Sequence, residues 1–351
     1  MASTVSADDN RRIRRSVALE SGETMAYTTQ GLPPRRGGQV VLLVHGWPMN
    51  ADLYAGISQS LCGPEDTDYF CITPSMVAFG RSSCPDDPLS ITPPSEAAFM
   101  AEFIDAVSER FQFSELTFVG HDWGGSIGLK AIADKTADGT ITMTRFIPLD
   151  TFVNFGHIPF ERRVLNRIGS WLQGLAGPVS GPAFVDAVIR LLTVEDPGFF
   201  ELVRFWLPYS SFTRGGIDVG VCRQIADINL FATAKDSETI SMYDDIAEYM
   251  QTSFKDGPTC FILAEEDWVE GSASNFGCAA HCGVQALAPQ GNVRNLPEAS
   301  HYMQLDQPEV IAAWMKQFLD DPTSPETSCP ADPPLCDCES TEAIIANHRN
   351  Q

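Results

Sequence analysis

Residues 116–133 read LTFVGHDWGGSIGLKAIA: an apolar, β-branched run, a tight glycine-rich turn and a helical repeat in immediate succession. The turn Gly120-His121-Asp122-Trp123-Gly124, backed by Gly125, has the pattern small-x-nucleophile-x-small. Such an elbow holds its central side chain over the end of a strand and at the start of a helix. The flanking residues must be small because the backbone passes close to itself. A chain with this junction is committed to strands followed by helices, and so to a mostly parallel α/β sheet. The bland alternative, Asp122 as a helix N-cap only, accounts for the turn but not for the motifs that accompany it.

The central residue decides the chemistry. A carboxylate is ionised at neutral pH and needs no base to activate it. It suits displacement at a saturated carbon bearing a good leaving group, such as a carbon–halogen or strained carbon–oxygen bond. The product is an alkyl ester of Asp122, which water must then hydrolyse.

Two further segments fit this reading. Val40-Val41-Leu42-Leu43-Val44 is a buried-strand pattern that runs into His45-Gly46-Trp47-Pro48. Near the other end, Cys260-Phe261-Ile262-Leu263-Ala264 leads into Glu265-Glu266-Asp267. Ser300-His301 then precedes a helical pattern from Pro308 to Leu319. With Phe79-Gly80-Arg81-Ser82, these segments make the chain resemble the haloalkane dehalogenase and epoxide hydrolase branch of the α/β-hydrolase superfamily over roughly residues 15–320. DWGGSIGLK from Asp122 and MVAFGRS from Met76 are similar to the dehalogenases in particular. Gly220-Val221-Cys222-Arg223 and Asp256-Gly257-Pro258-Thr259 point the same way more weakly.

The resemblance implies an α/β-hydrolase fold, a mostly parallel doubly wound sheet with an inserted helical cap. It implies Asp122 as nucleophile, His301 as the base that activates water, and Asp267 as the acid that orients His301. Asp150, ending the strand from Arg145 to Leu149, is a rival position for that acid. Trp47 and Trp123 would supply the oxyanion-hole N–H groups. A departing halide would be held by indole N–H donors, Trp123 first and Trp171 of the cap second, with Trp206 in reserve. An epoxide would instead draw a proton from a cap tyrosine, Tyr209 or Tyr243. Two departures matter. The loop before Gly80 starts with Ser75 where the family usually has aspartate. Trp47 stands where dehalogenases usually carry a polar residue and epoxide hydrolases an aromatic one.

The expected division is core at 13–151, helical cap at 152–248, core again at 249–320 and a flexible tail at 321–351. The cap is read from its helical pattern and its many aromatic residues. The tail is read from its Pro, Ser, Asp and Cys content. A net charge of −23 disfavours nucleic acid and anionic membrane surfaces as partners. No apolar run of about 18 residues suggests a membrane span. The expected partners are a small apolar halogenated or epoxide substrate, water and halide, with no cofactor and no metal. The oligomeric state stays open.

The basic cluster Arg11, Arg12, Arg14 and Arg15 reads as a solvated, disordered arm, and the absence of an apolar leader favours the cytoplasm. Cys62, Cys71, Cys84, Cys222 and Cys260, in or beside apolar segments, read as reduced packing residues. Cys278-x-x-His281-Cys282 lacks a second ligand pair for zinc. Cys329, Cys336 and Cys338 of the tail could bridge in an oxidising compartment.

Overall fold

The computed structural model describes residues 11–47, 49–63, 68–151, 236–265 and 291–321, with scattered positions at 213–233 and 283–288. Eight strands form one sheet: β1 (Ile13–Ala18), β2 (Thr24–Gly31), β3 (Gln39–Val44), β4 (Tyr69–Pro74), β5 (Glu115–His121), β6 (Thr142–Leu149), β7 (Cys260–Ala264) and β8 (Asn292–Leu296). Their order is β1-β2-β4-β3-β5-β6-β7-β8. β1 and β2 pair antiparallel, as do β2 and β4, and every later pairing is parallel. This is the expected α/β-hydrolase sheet. A two-residue antiparallel pair, Thr213–Arg214 with Ile217–Asp218, stands apart from it.

Parallel strands need crossovers, and the helices supply them on both faces. α1 (Ala55–Leu61) and α5 (Pro308–Asp320) pack together on one face. α2 (Pro93–Phe111), α3 (Trp123–Ala137) and α4 (Ser237–Gln251) pack on the other. Strand alternation divides the core accordingly. Val41 and Leu43 join Ile57, Leu61, Ile311 and Phe318. Leu42 and Val44 turn the opposite way and join Phe103, Ile127, Ile132 and Ile246. Each such burial is worth about 1.5–3 kcal/mol. The boundary expected at residue 248 falls inside α4, whose buried Met242, Tyr243 and Ile246 belong to the core layer against α3. Residues 152–212, which hold most of the expected cap, and the tail beyond 321 lie outside the described residues.

Two expectations need correction. The basic N-terminal cluster is not a loose arm. Arg14 and Arg15 lie in β1, and Arg12 donates to Asp52 Oδ1 at 2.6 Å and to the Ala51 carbonyl at 2.8 Å. Strand pairing with β2 and a carboxylate partner outweigh the cost of ordering these long side chains.

The described cysteines are not reduced packing residues either. Cys62 and Cys71 form a disulfide, with Cα atoms 6.3 Å apart, between the end of α1 and β4. Cys84 and Cys260 are also disulfide-bonded. An apolar neighbourhood suits a bridged cysteine as well as a free thiol, so composition alone could not separate the two.

Candidate active site

The elbow forms where the sequence places it. β5 ends at His121 and α3 starts at Trp123. Asp122 between them has φ 50° and ψ −131°, a backbone region that costs a non-glycine residue about 1–3 kcal/mol. The cost is met by over-determination. Asp122 N–H donates to the Asp150 carbonyl at 3.0 Å, and Thr151 Oγ1 donates to the Asp122 carbonyl at 2.5 Å. A Cβ on Gly120 would meet the Gly125 backbone, and one on Gly46 would meet the Asp122 side chain. The small residues are thus required by contact between the β3 and β5 turns.

Asp122 is buried at the junction of three loops. Its Oδ1 accepts from the Trp47 backbone N–H of the His-Gly-Trp loop at 2.6 Å. Its Oδ2 lies 3.7 Å from His301 Nε2. His301 is buried and held from behind: His121 Nε2 meets the His301 carbonyl at 2.8 Å. A carbonyl only accepts, so this ring nitrogen of His121 carries the proton. At the loop's other end, Ser300 N–H and Oγ both donate to Asp306 Oδ2, at 2.8 and 2.7 Å.

His45 is a fastener. Its Nε2 accepts from Met76 N–H at 3.0 Å while Nδ1 meets the Gly46 carbonyl at 2.8 Å, which assigns the Nδ1–H tautomer. Tyr54, fully buried, donates to the Val44 carbonyl at 3.1 Å, and burial raises its phenol pKa so that it stays a donor.

Of the expected site residues, Asp122, Trp47 and His301 come together as described. Trp123 is fully buried as the first residue of α3. Asp150, the rival acid, is buried, and both its carboxylate oxygens lie 3.2 Å from Ala264 N–H on the neighbouring β7. Asp267, Trp171, Trp206 and Tyr209 lie outside the described residues. Tyr243 is buried in the core layer with α4. Ser75, at the departure from the family pattern, is put to local use. Its Oγ accepts from Ala51 N–H at 3.1 Å and its carbonyl accepts from Ser82 Oγ at 2.7 Å.

Sequence reading missed Thr151 and His121 as supports. Thr151 offers a faint signal, a hydroxyl directly after a strand-end aspartate. His121 offers none, because its partner is 180 residues away. No group of three or more metal-ligating side chains occurs among the described residues.

This elbow, with a strand-end loop presenting an N–H to its carboxylate and a later histidine facing it, defines a class of fold and site. A family model described as alpha/beta hydrolase fold matches residues 39–308, and the chain belongs to that family. Its distant homologues include haloalkane dehalogenases, epoxide hydrolases and oxetanone decarboxylases. It is 23% identical over 312 residues to a cis-3-alkyl-4-alkyloxetan-2-one decarboxylase of Xanthomonas campestris, covering 86% of this chain and 94% of that protein. It is 25% identical over 208 residues to a haloalkane dehalogenase of Bradyrhizobium diazoefficiens, covering 56% of this chain and 62% of that protein. Among solved structures, the haloalkane dehalogenase DbeA from Bradyrhizobium elkani superposes with a TM-score of 0.63 at 15% identity, covering 88% of this chain and 99% of that one.

Proposed function

We propose that the protein hydrolyses carbon–halogen bonds of small apolar haloalkanes through an alkyl ester of Asp122. The observation that carries this reading is the unequal setting of the two Asp122 oxygens. Oδ1 is held by Trp47 N–H at 2.6 Å, and Oδ2 faces His301. Oδ2 is therefore the attacking atom. It forms the new C–O bond as halide leaves with the bonding pair. In the ester, Oδ1 is the carbonyl oxygen, already in the hole where negative charge will develop.

Water then adds to Cγ while its proton passes to His301 Nε2. The oxyanion on Oδ1 collapses, and the departing alkoxide takes the proton back from His301 to leave as alcohol. Asp267 is proposed to hold the imidazolium through Nδ1. Trp123 and Trp171 are proposed to hold the halide in a water-poor pocket under the cap.

A second reading, displacement at a strained carbon–oxygen ring, is favoured by Trp47, aromatic where epoxide hydrolases are. The oxetanone decarboxylase relative, which aligns over most of this chain, favours it too. Both readings use the same aspartate.

The test is His301→Gln. An ionised aspartate needs no base to attack, so this variant should alkylate and then stall. After incubation with a bromoalkane, intact-mass spectrometry should show a gain of one alkyl group on the Asp122 peptide, with a burst of about one equivalent of bromide per site. Steady turnover by the variant would refute the division of labour. Alkylation by an epoxide or a β-lactone but by no haloalkane would transfer the assignment to the second reading.

A further inference from the structure

A cavity of about 280 Å³ lies at the β1 edge of the sheet, and no residue of the site around Asp122 lines it. Four arginines line it, Arg11, Arg15, Arg35 and Arg110, beside Phe70 and Phe111. That assembly is unexpected in a chain with 46 acidic and 23 basic side chains. Carboxylates outnumber cations two to one, and other basic residues find them: Arg12 and Arg14 pair with Asp52, Lys130 with Asp134 and Asp245, and Lys135 with Asp105 and Asp138. Among the described residues, no carboxylate lies within 4.0 Å of any of the four cavity arginines.

The separation follows from strand alternation. In the run Arg11-Arg12-Ile13-Arg14-Arg15, odd positions face the cavity while Arg12 and Arg14 turn to Asp52. The aromatic wall holds two of the charges in place. Arg15 and Arg110 lie over the Phe111 ring at 5.7 and 5.8 Å, and Arg15 Nε donates to Thr29 Oγ1 at 3.2 Å. Four like charges around one cavity repel one another and gain from an anion placed between them. The C-terminal end of α2 contributes only about half a negative charge against them.

We propose that this cavity binds a small organic dianion: two carboxylate or phosphate groups on a short apolar frame that fits against Phe70 and Phe111. The guanidinium fork matches either group with two parallel hydrogen bonds, and the volume limits the ligand to a small molecule.

Calorimetric titration of the full-length protein with glutarate, and separately with the bisphosphate of propane-1,3-diol, at low ionic strength tests this. Saturable one-site binding of either is expected, weakening in about 0.15 M salt. Arg15→Gln and Arg110→Gln should each weaken it about tenfold or more, and Arg110→Lys should recover part of the loss. Arg14→Gln removes the same charge from the opposite face of β1 and should leave the affinity within about twofold. Circular dichroism of each variant reports folding, and a variant that fails to fold is replaced by Arg35→Gln in the same comparison. Absence of saturable binding by about 10 mM of either anion overturns the proposal. So does equal weakening by Arg14→Gln, or binding confined to long polyanions such as heparin.

Discussion

Two buried carboxylates show how differently one fold can treat the same group. Asp122 sits at the loop-rich ends of the parallel strands. There it receives the Trp47 N–H at 2.6 Å and faces the His301 ring. Glu96 sits on the inner face of α2, fully buried. Its Oε2 accepts one longer bond, 3.2 Å from Val77 N–H, and its Oε1 has no hydrogen-bond partner among the described residues. Burial, with Glu23 adding like charge, holds the Glu96 carboxyl well above the usual carboxylate range despite the Val77 bond. The elbow offers its carboxylate a short hydrogen bond and α2 offers only a long one, which suits the first group to the role proposed for it and the second to be a neutral spacer behind the Met76–Ser82 loop.

The comparison breaks first at Asp122. Asp122→Ala should cut turnover by about 10⁴-fold or more, ~5 kcal/mol, while the melting temperature changes little. A collapse of stability with activity would make Asp122 a structural residue like Glu96. Next in size is the acid proposed to orient His301. Asp267→Asn should slow hydrolysis of the alkyl ester by about 10³-fold. Asp150→Asn, altering a group already engaged by Ala264 N–H, should slow it only a few-fold, about 1 kcal/mol. The reverse ranking in single-turnover measurements moves the acid to Asp150.

The smallest effect is at Glu96. A folded-state pKa above the unfolded one gives stability that is present at low pH and lost as pH rises toward and through the folded value. Glu96→Gln should therefore be more stable than the parent at pH 8, by about 1 kcal/mol, and no more stable near pH 4, with activity retained. Denaturant titrations at the two pH values check the sign.

The contrast also explains what the sequence made legible. The elbow, the His-Gly-Trp turn and His301 could be read because each depends on neighbours within a few residues, and their order along the chain sets their meeting. The strand runs at 40–44, 116–119 and 260–264 were equally plain, since fully buried strands are short continuous apolar runs. Supports that join distant segments were not legible. Thr151 under Asp122, His121 behind His301 and Glu96 against Val77 each need the packed sheet before the partner is defined. The Cys62–Cys71 bridge failed for a different reason. Spacing in an apolar context does not report oxidation state. The ordering of Arg12 was not legible either, because its partner Asp52 lies 40 residues away along the chain.

The bridged cysteines have a consequence for the chemistry proposed. Haloalkanes, epoxides and strained lactones are alkylating agents, and the protein nucleophile they consume fastest is ordinarily a cysteine thiolate. Cys62, Cys71, Cys84 and Cys260 are all disulfide-bonded, with no free thiol among the described residues. A sulfur tied to another sulfur has no thiolate to offer. These positions are inert toward the electrophiles proposed as substrates, so the described part of the protein can meet such reagents without being modified at cysteine.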